Sequence, residues 1–106
     1  MNINFKTQYS FNDCRFPDTN RLAYFDYAIF ENNNLIGLIE YDGIQHEIGW
    51  NNNKESLNRI QAYDAYKNYY CLINNIKLFR ISYTDLNLID ENYLNNIINK
   101  MKEEIK

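Results

Sequence analysis

The chain has 106 residues, a formal net charge of −3 and a hydrophobic content of 45%. A chain of this length has room for one domain with one modest core, so we predict a single domain over residues 1–106. The acidic balance argues against a protein whose main task is to coat nucleic acid, because such a protein needs many Lys and Arg residues. It is compatible with an enzyme that holds a cation between its carboxylates and DNA.

The sequence indicates neither a membrane span nor a secretory route. No stretch approaches the ~20 apolar residues of a membrane span, and the N-terminal MNINFKTQYS lacks the apolar core of a signal peptide. Cys14 and Cys71 are too few and too isolated for a disulfide framework or a zinc site. We therefore expect an intracellular, cytoplasmic protein with two buried thiols.

The first half of the chain predicts three strands. Residues 3–11 and 22–30 are rich in β-forming residues, and the segment between them has turn-forming residues and the only proline. Three asparagines precede a further apolar run over residues 35–41, which predicts a β-hairpin. Residues 42–53 hold two of the three glycines without periodicity, so we expect a loop there.

The second half predicts a helix, a strand and a helix. Apolar residues recur at spacings of three and four over residues 54–74, and the asparagines before them can supply an N-cap. Residues 76–83 are strand-like, and the intervening helix favours a parallel crossover. Residues 89–105 form an amphipathic helix. We therefore predict a mixed α/β (α+β) domain of order β-β-β-α-β-α, with helices packed on a mixed sheet.

The register of the hairpin follows from its turn. If residues 32–34 form a three-residue loop, residue 31 pairs with residue 35, and the same count sets Asp26 opposite Glu40. Like charges directly opposite each other in a sheet are destabilising. Two facing carboxylates therefore need a compensating partner.

Period-two alternation adds Asp42 to the face of Glu40, on a side of the sheet that is otherwise apolar through Ile36 and Leu38. Acidic side chains on a partly buried face are costly unless a cation neutralises them, and hard oxygen ligands suit Mg²⁺ or Mn²⁺. We therefore predict that Asp26, Glu40 and Asp42 bind a divalent metal ion.

Further polar residues lie close to this group in the predicted fold. Gln45 and His46 follow the third strand, where they could orient a water, transfer a proton or contact phosphate. Lys67 shares a helix stripe with Asp64 and could reach the site. Arg80, on the last strand, could contact a DNA phosphate.

Each of these residues also has a purely structural interpretation. The facing carboxylates could form an ordinary polar sheet edge, and a loop of two or four residues would break the register argument. His46 could be a loop histidine bonded to backbone, and Asp64 and Lys67 could form an intrahelical ion pair. Arg80 could simply pair with a carboxylate.

Three strings of the sequence occur together in an order that resembles a known superfamily. They are FDYAIFENNNLIGLIEYDGIQHE over residues 25–47, the D-x-x-K-N-x-Y-C pattern over 64–71, and IKLFRISY over 76–83. Together they resemble small phage and bacterial proteins of the PD-(D/E)XK nuclease superfamily, near its very-short-patch-repair-like branch, which includes some homing endonucleases. The resemblance runs from about residue 9 to residue 83.

The resemblance implies a role for each matching position. Asp26 corresponds to the central metal-binding Asp, and Glu40 to the acidic residue of the second motif. The usual lysine would stand at Asp42, and the Q-H pair at residues 45–46 is part of the site in this branch. Lys67 could replace the missing lysine from the helix.

The implied activity is a Mg²⁺- or Mn²⁺-dependent DNA endonuclease on a restriction-endonuclease-like fold. Relatives generally begin with a helix whose Glu completes the site, and this sequence begins at the predicted first strand. The chain could be a trimmed form, or a homodimer partner or another domain could supply that helix. The alternative is a catalytically impaired nuclease-fold module that binds DNA or protein.

Overall fold

Four strands and two α-helices make up most of the computed structural model, which describes residues 3–43 and 53–103, the side chain of residue 86 excepted. In chain order the elements are β1 (Ile3–Arg15), β2 (Leu22–Glu31), β3 (Asn34–Asp42), α1 (Lys54–Ile73), β4 (Leu78–Ser82), a 3₁₀ helix (Tyr83–Leu88) and α2 (Glu91–Lys102). The sheet order is β1-β2-β3-β4, with the first three strands antiparallel and β4 parallel to β3. The predicted mixed α+β class, the order of strands and α-helices and the parallel pairing are confirmed over these residues. The 3₁₀ helix was not predicted.

Side chains define the ends of both α-helices. The Asn53 side chain accepts hydrogen bonds from two backbone N–H groups of the first turn of α1, as the N-cap prediction required. Asp90 caps α2 by accepting from the N–H of Tyr93 at 2.8 Å. At the other end of α2, the Lys77 ammonium donates to the carbonyls of Lys100 and Met101. Neither helix, among the residues described, is long and apolar enough to cross a membrane.

Each face of the sheet carries one helix and one apolar cluster. The α1 cluster consists of Cys14, Ala23, Phe25, Ala28, Leu38, Tyr70 and Cys71. The α2 cluster consists of Ile29, Ile39, Ile81 and Met101. Both cysteines are buried and free, as predicted. The candidate acidic residues therefore have to be assigned to one of two opposite faces.

The β2–β3 turn differs from the prediction. Glu31 pairs with Asn34, so the loop has two residues, not three. Its residues, Asn32 and Asn33, have φ values of 52° and 68°. Asparagine tolerates this left-handed conformation, which two-residue hairpin loops of the I′ kind require at both positions.

A bulge next to the turn restores the predicted register. The pairing shifts by one residue between the pairs Phe30–Leu35 and Ile29–Gly37, so Ile36 is an extra residue in β3. The offset beyond the bulge is the one that a three-residue loop would have given. Ile36 itself packs with the α2 cluster, so its predicted place on the face of the carboxylates is wrong.

The β1–β2 pair has a local irregularity at Gln8 and Asp26, which we call the crease. The pairs on either side of this position keep one register, yet Gln8 has a left-handed φ of 50°. Phe25 packs in the α1 cluster, whereas Tyr27, two residues further along, lines an apolar groove on the α2 side. Regular alternation would put both on one face, so the two strands exchange faces at the crease. Asp26 lies at this crossing point.

We predict that Gly37→Ala lowers the free energy of unfolding by about 1–3 kcal/mol, because an added Cβ overpacks the α2 cluster. That Cβ would stand 2.6 Å from Sδ and 2.7 Å from Cγ of Met101. Chemical denaturation measures the change. In a Met101→Ala background the same substitution should cost less, and an equal cost in both backgrounds would contradict this packing.

Candidate metal centre

Glu40 is a buried carboxylate at the point where β2 and β3 separate. It is 4% exposed and lies on the α1 side of the sheet. Its Oε1 accepts from the N–H of Asp26 at 2.9 Å, and Oδ2 of Asp26 accepts from the N–H of Tyr41 at 2.7 Å. The two acidic residues therefore lie side by side, as predicted, and each carboxylate bonds to the opposite strand where the backbone ladder has stopped.

Lys67 brings a positive charge from α1 to this carboxylate. Its Nζ lies 3.0 Å from Oε2 of Glu40 and 2.6 Å from the carbonyl oxygen of Tyr24. It also lies 5.2 Å from the ring centroid of Phe25. The side chains of Lys67 and Glu40 are only 13% and 6% exposed. Burial raises the pKa of Glu40, and the charge of Lys67 opposes that rise.

A second ion-pair group adjoins the first, because the parallel β3–β4 register sets Arg80 beside Glu40. Nη1 of Arg80 lies 2.9 Å from Oδ1 of Asp42 and 3.4 Å from Oδ1 of Asp64. Its Nε and Nη2 both donate to Oδ1 of Asn68, at 3.1 and 3.0 Å. The guanidinium thus joins β3 to two residues of α1.

Three carboxylates of the described residues converge. Glu40, Asp42 and Asp64 each offer an oxygen, and these oxygens lie within 4.8 Å of one another. Opposite ligands of one ion lie roughly 4.2 Å apart for Mg²⁺ and about 4.8 Å apart for Ca²⁺. Hard carboxylate oxygens at this separation fit a divalent cation, and the Arg80 guanidinium already stands as a cation at two of the three.

The predicted site is therefore brought together in part. Glu40 and Asp42 belong to the three-carboxylate group, whereas Asp26 does not, because its carboxylate accepts from the backbone of β3. Asp64 takes the third position, a role the sequence did not assign to it. Its spacing of three from Lys67 on one helix stripe was the available signal.

The remaining predicted residues either form ion pairs or lie outside the described part of the chain. Lys67 and Asp64 lie on one stripe of α1, and each forms an ion pair with a residue of the sheet. Arg80 pairs with carboxylates, which was its structural alternative. Gln45 and His46 lie outside the residues that the structure describes.

Comparison of the chain with protein-family models, with curated proteins and with solved structures finds no match in any of the three. The interpretation of the site therefore depends on the residues themselves.

We predict that Lys67→Met lowers the free energy of unfolding by about 2–4 kcal/mol at neutral pH, because it leaves Glu40 buried without its cation. Chemical denaturation in the presence of EDTA measures this change. A raised pKa means that the stability contributed by Glu40 is complete below the ordinary Glu range and is lost as the pH rises. Removing Lys67 deepens that loss, so the penalty should shrink toward about pH 4, where the carboxyl is protonated.

The matched control for this prediction is the same substitution in a Glu40→Gln background. There the penalty should be smaller and nearly independent of pH, because no buried carboxylate remains to ionise. A Lys67→Met penalty that is the same at neutral and acidic pH would contradict the account of this pair.

Proposed function

We propose that this domain is a metal-dependent DNA endonuclease of the PD-(D/E)XK type, which hydrolyses phosphodiester bonds with Mg²⁺ or Mn²⁺. The observation that carries the proposal is the convergence of Glu40, Asp42 and Asp64 beside two cationic side chains. Such a site offers oxygen ligands to a metal and positive charge to a phosphate. The mixed sheet with a helix on each face is compatible with the restriction-endonuclease-like fold that the proposal requires.

In this proposal Glu40, Asp42 and Asp64 hold the metal ion. The ion, when bound, lowers the pKa of a water molecule and stabilises negative charge on the phosphate oxygens. The ammonium of Lys67, beside Oε2 of Glu40, orients the attacking water or stabilises the developing charge. Arg80 contacts a phosphate oxygen.

Two contributions of Asp26 belong to the proposed reaction. Its N–H donates to Oε1 of Glu40 and so orients that ligand. The resemblance assigns its carboxylate as the central metal ligand, and it assigns Gln45 and His46 to the site as well. In the proposed reaction, His46 or Asp42 transfers the proton.

A second candidate function is a nuclease-fold module without catalysis, which binds DNA or protein. One observation favours it: Lys67 and Arg80 already neutralise much of the acidic group, so the cluster can persist without a metal. Within this candidate the net charge of −3 favours a protein partner over DNA, because it limits the surface available for phosphate binding.

The test is cleavage of supercoiled and single-stranded DNA with Mg²⁺, Mn²⁺ or EDTA. We expect metal-dependent cutting that Glu40→Gln, Asp42→Asn and Asp64→Asn each reduce by at least about 100-fold, the cost typical of losing one transition-state contact. Asp18→Asn, in an exposed carboxylate that bonds Tyr63, is the matched control and should cut normally.

Two results would separate the candidates. Absence of cutting on every DNA form, together with no metal binding by calorimetry, would contradict the endonuclease. If the protein nevertheless retained DNA in a gel-shift assay, the non-catalytic module would be supported.

A further inference from the structure

The Arg80 guanidinium uses the same carboxylate oxygens that a metal ion would need. Its Nη1 contacts Oδ1 of Asp42 and Oδ1 of Asp64, which are two of the three residues of the candidate metal centre. Two cations that share these oxygens at contact distance would repel each other in a partly buried site. A divalent ion therefore has to weaken or replace the contacts of Arg80 in order to bind.

Asn68 fixes the guanidinium over the acidic group without carrying a charge of its own. Two guanidinium nitrogens, Nε and Nη2, converge on its Oδ1, and Nη2 also lies 3.3 Å from the backbone carbonyl oxygen of Asp64. The planar fork of an arginine loses little freedom per bond once it is held in this way. The Arg80 side chain is nevertheless 21% exposed, so it has an open side toward solvent.

We propose that Arg80 is a built-in counter-ion that competes with the divalent cation for Asp42 and Asp64, and that Asn68 sets how strongly it competes. Metal binding then displaces the guanidinium and frees it for a phosphate group, two oxygens of which can accept two parallel hydrogen bonds from it. This inference rests on the proposed function, since it concerns the metal affinity of the same site.

Calorimetric titration with Mg²⁺ tests the competition directly and without any activity measurement. We expect Arg80→Gln to raise the Mg²⁺ affinity by about ten- to a hundredfold, within the usual range of coupling between sites. Asn68→Ala should raise it by a smaller factor, although it changes no charge. Arg21→Gln is the matched control: it removes one positive charge from an exposed turn and should leave the affinity unchanged.

An NMR titration of the intact protein provides a second readout. The Nε–H resonance of Arg80 should move with Mg²⁺ concentration at the same midpoint as the calorimetric binding. If Mg²⁺ binds and this resonance does not move, displacement of the guanidinium is overturned.

The outcomes separate this inference from the proposed function. If Asp42→Asn abolishes Mg²⁺ binding but Arg80→Gln binds as the native protein does, the inference is overturned and the metal site stands. If Arg80→Gln binds more tightly but Asn68→Ala does not, the role assigned to Asn68 is overturned, because Arg80 contacts Asp42 and Asp64 directly. If neither the native protein nor Arg80→Gln binds Mg²⁺, the proposed function fails together with the inference.

Discussion

A carboxylate removed from water is the constraint around which this domain is arranged. Glu40 lies between the sheet and α1 with 4% exposure, and a buried unpaired carboxylate costs several kcal/mol. Its compensation comes from the N–H of Asp26 in β2 and from the ammonium of Lys67 in α1. One side chain of β3 thereby fixes the relative positions of three elements, and the same arrangement brings the acidic residues of the candidate site together.

The crease in the β1–β2 pair makes this arrangement sterically feasible. Because the strands exchange faces at Gln8 and Asp26, Phe25 enters the α1 cluster and its ring lies beneath Lys67. Without the exchange, Phe25 would face α2 and the ammonium would lose that apolar support. The left-handed backbone of Gln8 is a local cost, and residues held in this way often lie next to functional sites.

The sequence predicted those features that depend on short-range pattern. Alternation and turn chemistry predicted the strands, and the facing of Asp26 and Glu40 was correct because the bulge at Ile36 compensated for the shorter loop. The predicted loop was one residue too long and the bulge was not predicted, and these two errors cancelled. That Lys67 could reach the site was also predicted, from its position with Asp64 on one stripe of the helix.

Features that depend on long-range packing were out of reach of the sequence. Asp64 enters the candidate metal centre only because of how α1 is rotated against β3 and β4, and helical periodicity does not determine that rotation to within one side chain. The crease has neither glycine nor proline at its centre, and Asp26, which strands disfavour, lies within a run that otherwise favours a continuous strand. The interpretation of Arg80 likewise required a structure, because an arginine at this position is equally suited to a phosphate contact and to an ion pair with a carboxylate.

The central claim is that the acidic group at the end of β3 is a metal centre whose cation replaces a guanidinium. Anomalous X-ray diffraction from crystals of the protein soaked in Mn²⁺ tests it most directly. The account predicts one strong peak within bonding distance of Glu40, Asp42 and Asp64, with Arg80 moved away from Asp42. A map without a peak there, and with Arg80 still bonded to Asp42, would contradict it.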